Sequence, residues 1–400
     1  MKAMIYYRRQ LGQLRQQIGC ALDHWSKIKK LSMLSMLSLI ISPLSSFAQR
    51  MDDVTEHSKY IKVVDEYVPA PGQYVNLMPT YEAGDTPATM AQKCTEMIAN
   101  NERGLVSLGG YGGFITFHLD HSIANVEGQA DVMILGNLSG EGNSEPGIIM
   151  VSKDENGNGL PDDTWYELKG SADVDSVGKV VYGYSITYHR PVSETHTGET
   201  GGISKYITIL NYILWTDNQG GSGYLYRIAD SLNPIFRGDP YYPMWITDDQ
   251  MTFGLQTLLP PNGYNTGDYN KEYWVRNSLA WGYVDNKQNG NTAACSYDFD
   301  NAVEVVSRTP VKVDFVDFIR VYTAVNQQCG WIAETSTEIM GAEDLHLDTS
   351  IQRIKDALAG VESIKKETTT DGEFYDLQGR KIKAPGKGLY IKNGKKYIIK

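Results

Sequence analysis

Short runs in which apolar and polar residues alternate make up much of the chain after residue 104. A period of two places successive side chains on opposite faces of a strand, and clusters of Gly, Asn, Asp and Pro separate the runs as turns do. Short strands at this spacing predict a mainly β protein, built as a β-sandwich or jelly roll. The predicted strands are 114–119, 131–136, 147–152, 164–168, 180–188, 206–214, 223–228 and 314–323.

One segment near the start of the chain has helical spacing instead. Asp85 and Thr86 precede Pro87, which combines a capping side chain with a proline in the first turn of a helix. We predict one short amphipathic helix that ends near Asn101, preceded by an extended or edge-strand segment over 49–83. The apolar residues at helical intervals are Met90, Cys94, Met97 and Ile98.

The glycine cluster at 109–113 resembles a phosphate-binding loop in composition only. A dinucleotide-binding loop has to open a helix, whereas residues 114–119 alternate as a strand. We therefore predict a tight turn or a bulge between strands at this cluster.

An apolar segment at 31–44 predicts export. Lysines precede it, and the small residues Ser46 and Ala48 follow it where a signal peptidase reads them. The segment contains Pro43 and is shorter than the roughly 20 residues that span a bilayer. We predict that 1–48 contains a signal peptide, that the protein acts at the cell surface or outside the cell, and that the mature chain has no transmembrane segment.

Composition narrows the possible partners. The formal charge of −11 argues against a nucleic-acid partner, because phosphate binding needs a basic surface. The 26 tyrosines suit exposed strands and aromatic binding surfaces. Three cysteines follow residue 48, and an exported chain can oxidise a pair of them. We expect one disulfide and one buried thiol.

Changes in composition divide the chain into four segments. After the signal peptide and upstream extension at 1–48, a surface domain is predicted over 49–346, with a helix or linker at 347–364. Residues 365–400 contain ten Lys and Arg against four Asp and Glu and carry short strand patterns. They are too few to bury a large core, so we predict a small appended β-module.

The run from Asp154 to Asp163 is the strongest local signal for chemistry. Oxygen-bearing side chains at positions 1, 3, 5 and 9, with glycine at position 6, follow the spacing of a calcium loop. Position 12 is Trp165 instead of Glu, so the pattern is incomplete, and a hairpin loop that binds nothing is the alternative. The predicted ligands of a structural calcium ion are Asp154, Asn156, Asn158 and Asp162, with the Leu160 carbonyl.

Aromatic residues beside carboxylates and amides indicate a ligand-binding surface. An aromatic face stacks on a sugar ring or a flat cofactor while polar neighbours bind its edge. Core packing is the alternative for any single large aromatic side chain. The predicted ligand-binding residues are Trp215, Asp217, Asn218, Trp245, Trp281, Asp285 and Asn286.

The sequence signals for catalysis are weaker than those for binding. Neither a nucleophile elbow nor a HExxH motif occurs in the sequence. The pairs Asp298/Asp300 and Glu334/Glu338 offer carboxylates of the kind used in glycoside hydrolysis. We expect a non-enzymatic binding protein, with a glycan hydrolase as the alternative and a structural adhesion module as a third reading.

Two resemblances add to this picture. The segment EPGIIMVSKD…TWYELKGS, from Glu145 to Ser171, resembles the strand pair of discoidin-type, galactose-binding-like sandwiches, which implies a jelly roll. EYVPAPGQ, LGGYGGFITF, SEPGIIMVSKDENGNGLPDD, WTDNQGG and AVNQQCGWIAETSTEI resemble secreted surface proteins of Bacteroides-type gut bacteria, over about 60–346.

Some members of that family lie beside corrinoid uptake genes. The resemblance therefore implies a corrinoid as a ligand beside the glycan, and components of outer-membrane uptake or of the cell surface as partners. The tail FYDLQGRKIKAPGKGLYIKNGKKYIIK is similar to the C-terminal sorting modules of type IX secretion.

Overall fold

The computed structural model describes residues 57–193, 201–230 and 239–357, and the tail segments 374–375, 381–382, 388–392 and 395–399. The predicted signal peptide lies outside the described residues. The chain divides into two compact units, one of Met1–Asp53 with Asn156–Gly159 and the other of Val54–Glu155 with Leu160–Lys400. All helices and strands of the described residues belong to the second unit.

Antiparallel strands dominate the described residues. The mainly β class expected from the alternating pattern is confirmed, with several antiparallel sheets in an arrangement consistent with a β-sandwich. The jelly-roll connectivity stays a prediction. The strands are β1 (Val63–Val68), β2 (Val106–Ser107), β3 (Phe114–His118), β4 (Ile123–Ala124), β5 (Val132–Leu135), β6 (Gly147–Ser152), β7 (Trp165–Leu168), β8 (Val181–His189), β9 (Ile207–Asp217), β10 (Ser222–Ile228), β11 (Gln250–Leu258), β12 (Gly263–Asn265), β13 (Trp274–Arg276), β14 (Ser296–Tyr297), β15 (Ala302–Val303), β16 (Phe315–Val316), β17 (Phe318–Thr323), β18 (Glu338–Ile339), β19 (Gly341–Asp344), β20 (Phe374–Tyr375), β21 (Lys381–Ile382), β22 (Gly388–Lys392) and β23 (Lys395–Ile399).

A six-stranded sheet in the order β1-β3-β17-β6-β7-β15 forms the centre. Its middle strands are buried on both faces, and alternate residues enter different hydrophobic clusters. On β6, Ile149 and Val151 pack into the largest cluster, whereas Ile148 and Met150 pack on the opposite face. The sheet is therefore covered on both sides, which explains why β6 reads as a nearly continuous apolar run.

The four-stranded sheet β10-β9-β8-β11 supplies a second core. Alternate residues of β8, such as Tyr184, Ile186 and Tyr188, are buried in it together with Phe253 of β11. Phe114 of the central sheet packs against this cluster, so the two sheets share an apolar interior.

The predicted helix is confirmed as α1 (Pro87–Ile98). Thr86 caps it, because its side chain accepts a hydrogen bond from the backbone N–H of Thr89, and Pro87 occupies the first turn. Its buried face packs into the main core. A second helix, α2, covers 347–357, within the segment predicted to be a helix or linker. No helix of the described residues is long and apolar enough to cross a membrane.

Most of the predicted strands agree with the structure to within a few residues, but β11 was missed, as were short strands such as β13 and β19. The central position Leu255 has a positive φ of 55°, and the register with β8 shifts between Phe253 and Gln256. This irregularity interrupts the alternation that a sequence pattern relies on. The predicted 49–83 edge segment is confirmed in part by β1, which lies at one end of the central sheet.

The glycine cluster forms a turn into β3 and opens no helix, as predicted. Gly109 and Gly112 have positive φ angles of 68° and 88°. A side chain on Gly113 would collide with the backbone carbonyl of Leu108 and with the backbone of Ala70. The cluster is thus a place of close backbone approach.

The expected disulfide is wrong for this structure: Cys94, Cys295 and Cys329 are all free and buried. Cys94 belongs to the main core on α1, whereas Cys295 packs with Met133 in a small separate cluster. Residues held in different packing environments cannot reach disulfide geometry without moving the backbone.

In the tail, the described segments form a four-stranded sheet in the order β21-β20-β22-β23. The sequence suggested three strands with turns, and the structure adds a fourth short strand. Its role in sorting stays a prediction.

Candidate functional site

A pocket of about 470 Å³ opens where six separate parts of the chain meet. Its size lies within the range usual for small-molecule sites. Bridges from Asn143 to Arg276 and from Gly147 to Val284 hold the segment that carries Glu145 between them. The polar and aromatic residues in its lining include Gln73, Asn137, Asn143, Glu145, Arg276, Trp331, Glu334 and Glu338.

Arg276, at the end of β13, forms a buried ion pair with Glu145. Its Nη1 donates to Glu145 Oε1, which also accepts the backbone N–H of Ser336 at 3.1 Å. Burial nevertheless raises the pKa of Glu145, because the favourable charge of Arg276 does not fully offset desolvation. Arg276 Nε is buried without a hydrogen-bond partner among the described residues.

Behind this pair lie two further carboxyl groups, of Asp285 and Glu338. Asp285 Oδ1 accepts the backbone N–H groups of Asn137 and Leu138 at 2.8 and 2.9 Å, and Oδ2 accepts that of Glu338 at 3.1 Å. Burial, followed by the charge of Glu145, raises the pKa of Asp285 to about 7. Asp285 also has a positive φ of 53°, so local backbone strain accompanies its placement.

Glu338, on β18, is 4% exposed. Burial and then the carboxylates of Glu145 and Asp285 raise its pKa well above the usual range. Its Oε2 is buried and has no hydrogen-bond partner in the described part of the chain. Ligand oxygens of these three residues all lie within 4.8 Å of one another. We call Glu145, Asp285 and Glu338 the carboxylate cluster.

Glu334 is a further buried acid, and it lines the pocket together with Glu145 and Glu338. Its Oε1 accepts the backbone N–H of Gln73 at 2.6 Å, and Gln73 Nε2 donates to the Ile332 carbonyl at 2.7 Å. Glycine at position 72 leaves space for the Glu334 carboxyl group, because a Cβ atom there would lie 2.7 Å from Glu334 Oε1. Burial raises the pKa of Glu334 to about 8, so its carboxyl retains a proton at neutral pH.

An exposed aromatic residue, Trp331, lines the pocket. Trp331 is 42% exposed, and its backbone N–H donates to Glu272 Oε2, which also accepts Trp274 Nε1 at 3.0 Å. Trp331, Ile332 and Asn143 also line a neighbouring cavity of about 1030 Å³. The two cavities therefore share a wall, on which an exposed indole faces solvent.

The three tryptophans predicted to bind a ligand have different surroundings. Trp245 is 5% exposed and stacks on Tyr67 in the main core, with ring centroids 5.6 Å apart. Trp215 is half-buried against the second core. Trp281 is 40% exposed beside a smaller cavity. None of the three lines the 470 Å³ pocket.

The polar residues predicted beside them make internal hydrogen bonds. Asp217 accepts a hydrogen bond from Tyr184 Oη at 2.9 Å. It also accepts two backbone N–H groups of the β9–β10 turn, and these bonds stabilise the turn. Asn218 accepts the backbone N–H of Ser185 at 3.1 Å. The buried Asn286 accepts Ser144 Oγ at 2.8 Å. Of the seven residues, Asp285 alone belongs to the carboxylate cluster.

The predicted calcium loop is exposed over much of its length. Asp154 and Asp162 lie in the larger unit, where the backbone N–H of Asp154 donates to Asp317 Oδ2 at 2.8 Å. Within the smaller unit, the backbone N–H of Asn158 donates to Asn156 Oδ1 at 2.9 Å. Leu160 is exposed. Calcium binding by this loop stays a prediction.

Of the two carboxylate pairs considered for catalysis, Glu334/Glu338 lies in the pocket and Asp298/Asp300 does not. Asp298 instead caps a short 3₁₀ turn by accepting the backbone N–H of Asp300 at 2.8 Å, and Asp300 accepts Asn125 Nδ2 at 2.9 Å. Both carboxylates therefore stabilise loop conformations.

Sequence reasoning did not identify Arg276, Glu145 or Trp331 as site residues. The available signal was the unusual run Gly330-Trp331 to Glu338, which combines an aromatic residue, two acids and hydroxyl residues. No protein-family model matches the chain, and no curated protein is significantly similar to it.

Proposed function

We propose that this is an exported, non-enzymatic binding protein of the bacterial cell envelope that captures a glycan in the pocket beneath Trp331. The observation that supports the proposal is a solvent-open pocket whose wall combines buried carboxyl, amide and guanidinium groups with a half-exposed indole. Sugars present hydroxyl groups that donate and accept hydrogen bonds, together with C–H faces that stack on aromatic rings.

The pocket chemistry favours a glycan over a corrinoid. Polar groups from Gln73, Asn143 and Glu334 surround a space of about 470 Å³, which suits one or two sugar rings better than a large macrocycle. The adjoining cavity shares Trp331 and would accept further residues of an oligosaccharide. Membership of the Bacteroides-type surface family, and partners in outer-membrane uptake, belong to the same proposal.

The test compares two tryptophans of nearly equal exposure. Trp331→Ala is expected to weaken glycan binding by about 1–3 kcal/mol, as loss of an aromatic stacking partner does. Trp281→Ala is the matched control, because Trp281 is equally exposed but lines another cavity. Calorimetry of both variants against a glycan panel and a corrinoid gives the measurement.

An unaffected Trp331→Ala would contradict the pocket as the site. Weaker binding by Trp281→Ala instead would place the ligand on the surface inferred from the sequence. Binding of the corrinoid and of no glycan, lost with Trp331, would keep the pocket and refute the ligand class.

A glycan hydrolase is the second candidate, favoured by the protonated state of Glu334. A carboxyl group with a pKa near 8 can act as a general acid at neutral pH, and other carboxylates lie in the same pocket. If this reading is right, the protein releases reducing sugar from a glycan and Glu334→Gln binds without turnover. Binding with no product from the unaltered protein refutes it.

A further inference from the structure

We propose that the carboxylate cluster of Glu145, Asp285 and Glu338 is a binding site for a hard divalent cation of the calcium class. This site is distinct from the loop at Asp154–Asp163, and no local spacing in the sequence indicates it. The inference concerns cation binding alone, and it stands whether or not the pocket takes a glycan.

The distances suit such an ion. Calcium bonds to oxygen at about 2.3–2.6 Å, so two of its ligand atoms lie at most roughly 5 Å apart. One carboxylate oxygen from each residue of the cluster lies within 4.8 Å of the other two, and the three residues come from separate parts of the chain. Carboxylate oxygens, with neither sulfur nor imidazole in the cluster, favour a hard cation.

An unpartnered oxygen provides the independent reason. Glu338 is only 4% exposed, yet its Oε2 has no hydrogen-bond donor among the described residues. Leaving a buried carboxylate oxygen without a partner is costly. A cation bound to Oε2, Glu145 and Asp285 would satisfy it, and the backbone N–H groups on Asp285 would hold that ligand in place.

The local charge also requires compensation. Arg276 pairs with Glu145, and no other Lys or Arg forms an ion pair with the cluster in the described part of the chain. Three acids against one guanidinium leave an excess of negative charge in a buried region, which either protonation or a cation must neutralise. Protonation is the competing state.

An ion in the carboxylate cluster would lie where it can contact a ligand in the pocket. Glu145 and Glu338 line the open pocket, so an ion between them has a route of entry and can keep a coordination position for a ligand oxygen. Under the proposed function, that position would accept a sugar hydroxyl. This role rests on the proposed function, whereas the cation site does not.

The experiment uses the full mature chain after chelator dialysis, titrated with calcium chloride alone in a calorimeter. Glu338→Gln keeps the size of the side chain and is expected to lower the calcium affinity of the carboxylate cluster at least about tenfold. Even groups that only orient a metal ligand contribute that much to metal affinity. Glu127→Gln, an exposed acid elsewhere, is the matched control. Asp154→Ala removes the loop ligand and leaves the cluster intact.

Calcium affinity that falls in Glu338→Gln but persists in both controls supports the site. Equal affinity and stoichiometry in Glu338→Gln and the unaltered protein would overturn it. Because this variant could fold poorly, crystals of the unaltered protein soaked in a lanthanide give a second measurement. Anomalous density between the three carboxylates is expected, and density elsewhere only would overturn the proposal.

Glycan titrations with and without calcium then separate the two proposals. Calcium binding in the absence of any glycan binding refutes the proposed function and leaves the cation site. Glycan affinity that is unchanged by chelation refutes the bridging role alone.

Discussion

Two acidic regions of this protein present oxygen atoms in opposite surroundings. The loop at Asp154–Asp163 holds its acids close together in sequence and largely in solvent, whereas Glu145, Asp285 and Glu338 are distant in sequence and buried. Exposed carboxylates remain ionised at little cost, but they must be ordered by the ion they bind. Buried carboxylates are already ordered, and the cost is the loss of hydration.

This difference shows in the pKa values of the buried acids. Burial raises the pKa of Asp285 to about 7 and that of Glu334 to about 8. The fold therefore supplies the free energy that holds acidic groups in an unfavourable place, which is a property more typical of functional sites than of structural ones. Three predictions test the comparison, beginning with the largest effect.

Removing Arg276 should destabilise the protein most. Arg276→Met leaves Glu145 buried without its partner, and breaking a buried pair in this way costs about 3–5 kcal/mol of unfolding free energy. Lys153→Met, at an exposed position beside the loop, should change the unfolding free energy by less than about 0.5 kcal/mol. Urea denaturation at neutral pH measures both. Equal effects would remove the distinction between the two regions.

Raising the pH should destabilise the pocket through Glu334. Its folded-state pKa of about 8 exceeds the ordinary value of 4.5, so the folded protein binds more protons than the unfolded chain between those values. Stability therefore falls as the pH rises through this window. Between pH 5 and pH 9, Glu334→Gln should reduce that fall by roughly 4 kcal/mol, because about three pH units of this range lie below the folded-state pKa and each is worth about 1.4 kcal/mol.

Unfolding by urea at pH 5 and pH 9 in chelator gives this measurement, and Asp154→Asn in the exposed loop is the control. An unchanged slope in Glu334→Gln would mean that Glu334 is ionised in the folded protein. A reduced slope in Asp154→Asn would show that the loop, too, constrains its acids.

The smallest expected effect concerns calcium at the loop. If the loop binds the ion, calcium at a hundred times its dissociation constant adds about 2.7 kcal/mol by mass action, and Asp154→Ala removes that part. Thermal melting with and without chelator measures it, in a Glu338→Gln background so that the carboxylate cluster does not contribute. A melting temperature in that background that chelator does not change would identify the loop as a plain turn.

Local pattern predicted much of the fold. The apolar run at 147–152, bounded by turn residues, gave β6, and Thr86 with Pro87 gave the start of α1, because strand and helix signals act over a few neighbouring residues. The failure at β11 has the same origin, since the irregular backbone at Leu255 breaks the local period. The expected disulfide failed because cysteine count carries no information on distance.

The candidate site was predicted only in part. Glu334 and Glu338 were noted as a pair, and Asp285 as a ligand-binding residue, but each for a different reason. Trp245 carries the same sequence signal as an exposed tryptophan and is buried beside Tyr67. Residue type and neighbours describe what a side chain can do, whereas burial depends on which elements pack over it.

The sequence by itself determined the β class, the helix with its cap and the glycine turn before β3, since each follows from interactions among adjacent residues. Only the tertiary structure decided that Glu145, Arg276 and Glu338 meet. Their segments are joined by pairings such as Asn143 with Arg276 and Glu338 with Ser107, which link residues more than a hundred positions apart. Such contacts are selected by burial of the whole core, so a local pattern of residues does not specify them.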